Sequence, residues 1–153
     1  MIVLGIDPGT IRVGYGVVEA EGPRLRLLGH GVIAPRRGAP LAERLGRISA
    51  GLGRVLDGYR PDAVALEEAF FGKSVRSALR IGEGRGVALA AAGARGIPVF
   101  EYAARCVKKA AVGFGGAAKG QVGWMVSRFF PGEEAKLPSD AADAVAVCLC
   151  HVF

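Results

Sequence analysis

Apolar residues along this chain switch between two periods. Met1 to Ile6 is a short β-branched run, Arg12 to Ala20 alternates around two glycines, and Arg24 to Ala34 is a third strand-like segment. Together they predict an antiparallel meander. Leu41, Leu45, Ile48, Leu52, Val55 and Leu56 then recur at helical spacing, and Pro61 closes the link to a fourth strand at Asp62 to Leu66. A second helix is predicted from Ser74 to Ala92; Gly96 and Pro98 break it, and Ile97 to Phe100 reads as a strand. Two or three helices finish the chain, at Ala103 to Ala111, Ala118 to Phe130 and Pro138 to Cys150, with loops at 113–116 and 131–138.

Antiparallel strands followed by strand–helix alternation imply an α/β fold: a mixed central sheet flanked by helices on both faces. A length of 153 residues fits one domain spanning 1–153, large enough for a full core. The apolar fraction of 51% and mean hydropathy of +0.33 raise the question of a membrane span. The longest uninterrupted apolar stretch, Gly86 to Ala94, falls far short of the ~18 residues a span needs, and no basic leader or A-x-A cleavage site opens the sequence, so a cytoplasmic protein with no membrane association is expected. Cys106, Cys148 and Cys150 are odd in number and lack C-x-x-C spacing. They are expected to be reduced, largely buried thiols.

Twenty Lys and Arg against 14 Asp and Glu give a net charge of +6 and a pI near 9.7. Such a surface favours phosphate-rich partners, although basic proteins without a nucleic-acid role are common. Against this basic background four acids stand in awkward places. Asp7 closes the first strand in Gly5-Ile-Asp-Pro-Gly-Thr10, Glu67 follows the apolar run Ala63 to Leu66, and Asp140 and Asp143 are three apart on one face of the last helix. A carboxylate at the end of a buried strand needs a partner or a cation. Ligands in open α/β sheets collect beyond such strand ends, so three elements can deliver their acids to one point.

Each motif also has a plain structural reading. Pro8-Gly9 is a common turn dipeptide whose amides Asp7 can cap, Glu67-Glu68 can be a strand end turning to solvent, and Asp140 suits a helix N-terminus better than Asp143 does. The opening motif is similar to the phosphate loop of actin-like ATPases, but those need two such domains. The segment from Gly113 to Lys119 lacks the Gly-Lys-Ser/Thr ending of a Walker A loop. Without a His/Cys cluster the acids suit Mg²⁺ or Mn²⁺ rather than zinc. His30 reads as a strand surface residue; His151, two turns beyond Asp143 on the same helix, reads as structural, with a reach to the edge of the site as the alternative.

Taken in order, with about 60 and then about 70 residues between the acids, the strings Gly5-Ile-Asp-Pro-Gly, Leu66-Glu67, Ser77-Ala78-Leu79, Arg85-Gly86-Val87-Ala88, the run Pro98 to Arg105 and Asp140-Ala-Ala-Asp143-Ala resemble the RuvC-type Holliday-junction resolvases of the ribonuclease H-like superfold. The resemblance covers essentially the whole chain. It implies a metal-dependent endonuclease that resolves four-way DNA junctions by paired symmetric nicks in recombination and repair. Asp7, Glu67, Asp140 and Asp143 would be the catalytic acids and would hold two Mg²⁺ or Mn²⁺ ions ~3.5–4 Å apart, with Asp7 as the bridge.

The same resemblance assigns Lys108 and Lys119 to DNA phosphates, with Arg76, Arg80, Arg105 and Lys109 extending the patch. Phe70 would stack on bases at the junction centre, with Phe71 beside it. A homodimer is implied, because two symmetric cuts need two sites; Leu79, Val87 and Leu89 on the second helix are its candidate interface. The branch-migration proteins RuvA and RuvB are expected partners. Relatives often continue for about twenty basic residues beyond the position of Phe153, so contacts made by such a tail are in question here. Two other readings stay open: a superfold relative that cuts RNA in a hybrid, and a junction-binding module without catalysis, which would have no need of all four acids.

Overall fold

The computed structural model describes residues 1–68, 74–131 and 137–153. In chain order the elements are β1 (Ile2–Asp7), β2 (Val13–Glu21), β3 (Arg24–Ile33), α1 (Leu41–Tyr59), β4 (Ala63–Glu67), α2 (Val75–Gly93), β5 (Val99–Tyr102), α3 (Ala104–Val112), α4 (Lys119–Phe129) and α5 (Ser139–Val152). The strands form one sheet in the order β3-β2-β1-β4-β5. β1 to β3 are an antiparallel meander, while β4 pairs parallel with β1 and β5 parallel with β4, which is the mixed sheet the sequence predicts.

One strand starts later than its apolar pattern implies. β5 begins at Val99 because pairing with β4 defines it, from Val64 level with Val99 to Glu67 level with Tyr102. Pro98 has no N–H to give a ladder. Its carbonyl accepts the Val64 N–H at 2.9 Å and so leads the chain into the sheet.

Alternation along the central strands divides the core between two faces. Leu4, Ile6, Val17, Val64 and Leu66 meet Ile48, Leu52 and Leu56 of α1 and Ala88 and Ala92 of α2. Val3, Val18 and Ala65 meet Val145, Val147 and Leu149 of α5, together with α3 and α4. β1 and β4 are covered on both sides, which is why they read as unbroken apolar runs.

Helix α5 lies directly on the sheet because glycine and alanine remove the material between them. A Cβ added to Gly5 would overlap the Ala144 carbonyl oxygen, and one added to Gly14 would overlap that of Asp140. The Cys148 Sγ takes up the remaining space, 3.3 Å from the Gly16 carbonyl oxygen. Across the sheet, Gly84 of α2 packs on the Gly9 carbonyl and brings that helix onto the turn after Asp7.

Only one thiol follows the expectation of burial. Cys148 is buried, Cys150 is half-buried and Cys106 is exposed. The inward face of α3 belongs to Val107 and Ala111, which leaves Cys106 pointing outward. On α2, Leu79 and Val75 are exposed, whereas Val87 and Leu89 are half-buried and pack against the core. No helix among the described residues is long and apolar enough to cross a membrane.

Candidate active site

β1 and β4 run side by side and end together. Ile6 is level with Leu66, so Asp7 and Glu67 are the next residues on each strand. Val3 and Ala65 belong to the α5 face, and a period of two puts Asp7 and Glu67 on that face as well. Asp143 descends from α5. The three carboxylates line one cavity of about 270 Å³, together with Lys108 and the small or apolar walls Ala104, Val107, Val122 and Ala146. Each of the three acids also engages a neighbouring group.

The donor chemistry fits a hard divalent cation: three carboxylates and no Cys or His line the cavity. Among the described residues no three His, Cys, Asp or Glu side chains are gathered tightly enough to hold an ion as they stand. Lys108 brings one positive charge into the same cleft.

Asp140 is placed differently. Its carboxylate takes the Arg12 guanidinium at 2.6 Å, and it is not part of the cavity lining. Arg12 comes from the loop between β1 and β2, so this ion pair ties the start of α5 to the turn after Asp7. Sequence reading overlooked Arg12, whose only local signal is a cation five residues after the first acid; its partner lies 128 residues on.

The basic residues are spread around the cleft. Lys108 is half-buried in it; Arg105 and Lys109 are exposed on α3, and Lys119 opens α4. On α2, Arg76 is exposed and Arg80 pairs with Glu83 at 3.5 Å. Phe70 and Phe71 lie outside the described residues. His151 packs against Phe100 with ring centroids 4.7 Å apart, and its Nδ1 meets the Tyr102 hydroxyl at 2.6 Å. It therefore supports the β5–α5 seam. His30 is half-buried rather than a plain surface residue, and its Nδ1 is enclosed without a hydrogen-bond partner among the described residues.

Comparison with known proteins places the chain in a family. The family model described as "Crossover junction endodeoxyribonuclease RuvC" matches residues 3–151. The protein of that name from Maricaulis maris is 47% identical over 149 residues, which is 97% of this chain and 89% of the relative. The one from Chloroflexus aggregans is 46% identical over 153 residues, covering 100% of this chain and 93% of the relative. Among solved structures, T. thermophilus RuvC in complex with Holliday junction substrate superposes with a TM-score of 0.92 at 43% identity, covering 100% of this chain and 93% of that one. The mixed sheet with helices on both faces is thus the ribonuclease H-like fold shared with that structure. Family and site agree on a metal-dependent nuclease that hydrolyses DNA phosphodiester bonds, and the chain belongs to the RuvC family of crossover junction endodeoxyribonucleases.

Proposed function

We propose that this chain resolves four-way DNA junctions by cutting two opposed strands symmetrically, with Asp7, Glu67 and Asp143 as the acids that hold its metal. The supporting observation is that three separate elements deliver these carboxylates to one cleft that also contains Lys108, in a chain of this family. Asp7, Glu67 and Asp143 would hold two Mg²⁺ or Mn²⁺ ions, and Asp7 is the central acid of the three because its strand lies beside that of Glu67 and beneath α5. When bound, the cations supply Lewis-acid activation of water and charge stabilisation at the leaving oxygen. Asp140, which the structure pairs with Arg12, would complete the set of four once released from that pair.

The remaining work falls to side chains. Lys108 engages the phosphate that enters the cleft, offsetting the repulsion between that phosphate and the three acids. Val107, Val122 and Ala146 supply the apolar part of the cleft wall. Lys119, Arg76 and Arg80 contact the DNA arms, and Phe70 and Phe71 stack on bases at the junction centre.

A two-fold homodimer built through α2 sets two such sites at a fixed spacing, matching the two-fold symmetry of the junction. Leu79 and Val75 are the exposed apolar groups on that helix available for the contact. Residues 1–153 act as one nuclease domain in the cytoplasm and cooperate with RuvA and RuvB.

The experiment compares cleavage of a four-way junction, plain duplex DNA and an RNA–DNA hybrid in Mg²⁺. Paired nicks confined to the junction are expected. Preferential cutting of the hybrid would replace this reading with that of a hybrid-specific nuclease.

A further inference from the structure

The cleft is not the only concavity that reaches Asp143. Beyond it, α4 and the start of α5 enclose a second cavity of about 770 Å³. Its wall on α4 is Gly120, Gly123, Trp124, Ser127 and Arg128, positions that form one stripe of the helix. Two of these five have no side chain. Ser127 donates its hydroxyl back to the Trp124 carbonyl at 2.7 Å, so it too adds little bulk. The α4 side of the groove is therefore largely helix backbone, from which Trp124 and Arg128 stand out; Pro131, Leu137 and Ala142 complete the apolar lining.

Trp124 has no part in the core. The inward face of α4 is carried by Val122 and Val126, while Trp124 is 59% exposed. The Arg128 guanidinium lies 4.8 Å from its ring centroid. A cation over one face of an indole, with much of the ring left open, offers both a stacking platform and a phosphate ligand. The volume falls within the ~300–1,000 Å³ common for small-ligand sites, and Asp143 forms part of the boundary with the acidic cleft. Chemistry that accepts a flat ring and an anion beside a phosphodiester-cutting centre describes a nucleotide.

We propose that this cavity is a subsite for one unstacked nucleotide of the DNA strand being cut, its base on Trp124 and its outward phosphate on Arg128. The inference rests on the endonuclease reading above. Because Asp143 belongs to both cavities, the captured nucleotide is a near neighbour of the scissile phosphate. Stacking strength on Trp124 then contributes a modest base preference at that position, which makes Trp124 a specificity residue and not a catalytic one.

The test uses the full chain in an Asp7→Asn background, with junctions carrying 2-aminopurine at each position within three nucleotides of the cut. One position is expected to change fluorescence on binding. Trp124→Ala should abolish that change and Trp124→Phe should restore it. With Asp7 intact, Trp124→Ala is expected to raise KM on the order of ten-fold and to flatten the base preference at the same position. Arg128→Gln should lower the slope of log affinity against log salt by about one.

Thermal unfolding of Trp124→Ala should match wild type, since the side chain is largely outside the core. If wild type cuts junctions while Trp124→Ala keeps the fluorescence change and the base preference, the subsite is refuted; a partner protein that competes for Trp124 without altering either readout would refute it equally. A wild-type chain that cuts no junction would overturn the endonuclease reading instead.

Discussion

Gly5 and Ala144 meet backbone to backbone: a Cβ on Gly5 would occupy the space of the Ala144 carbonyl oxygen. This contact sets the height of α5 above β1, and thereby the distance from Asp143 to Asp7. The constraint is rigid, because the obstructing atom is main chain and cannot rotate away. Gly5→Ala should destabilise the fold by roughly 1–3 kcal/mol or more and lower junction cleavage further than junction binding. Gly46→Ala is the control. Gly46 lies in α1 with nothing within 4 Å of an added methyl group, so this change should stabilise by about 1 kcal/mol. Chemical denaturation of the two variants checks both signs.

That relationship also marks where sequence reading stops. The strands and helices were legible because burial follows period in Leu4, Ile6, Val64 and Leu66, and in Ile48, Leu52 and Leu56. The convergence of Asp7 and Glu67 was legible too, since both end buried parallel strands. No local pattern announces that Gly5 and Gly14 lie under a helix more than 120 residues away, or that Arg12 reaches Asp140. The exposure of Cys106 was hidden for the same reason: which face of a short helix turns inward is decided by its neighbours, here α4 and α5.

The thiols give a direct chemical check. Burial pushes the Cys148 thiol up to about 12, and its Sγ lies between the Val3 and Gly16 carbonyls. Because the thiolate is the nucleophile, Cys148 should resist alkylation in the native state. Exposed Cys106 should react first with iodoacetamide at pH 8, and Cys148 only on unfolding. Peptide mapping of the modified sites decides it, and early labelling of Cys148 would contradict the packing of α5.

The His151 ring makes stability depend on pH. Desolvation lowers its pKa below the ordinary 6.5, and its Nδ1 lies 2.6 Å from the Tyr102 hydroxyl. The unfolded chain then binds the proton more readily than the native one, so stability falls as pH drops below about 6.5 until the folded imidazole is itself protonated. The neutral ring's full contribution is present above that range. His151→Gln should flatten this part of a plot of unfolding midpoint against pH. An unchanged slope would place the titration elsewhere.

Arg12 makes a separable contribution. Its pair with Asp140 is exposed on the arginine side, so its loss should cost under about 1 kcal/mol of stability. The effect on metal is larger in consequence. If Asp140 exchanges Arg12 for a cation, Arg12→Gln removes the competitor, and the Mg²⁺ concentration for half-maximal cleavage should fall several-fold. A stability loss with no shift in Mg²⁺ dependence would leave Asp140 as a helix-terminal charge only.

The three acids of the cleft should separate binding from cutting. Asp7→Asn, Glu67→Gln and Asp143→Asn keep the shape of each side chain while removing a negative charge from a cavity that must accept phosphate. Junction affinity without metal should therefore hold or rise, because each change reduces repulsion. Cleavage in Mg²⁺ should fall by more than about 100-fold for each, since loss of a ligand exceeds the 10–100-fold typical of losing its supporting partner. Gel-shift titration and single-turnover cleavage on the same junction measure the two quantities. Any of the three variants cutting at the wild-type rate would remove that residue from the metal set, and equal losses of binding and cutting would indicate a folding defect instead.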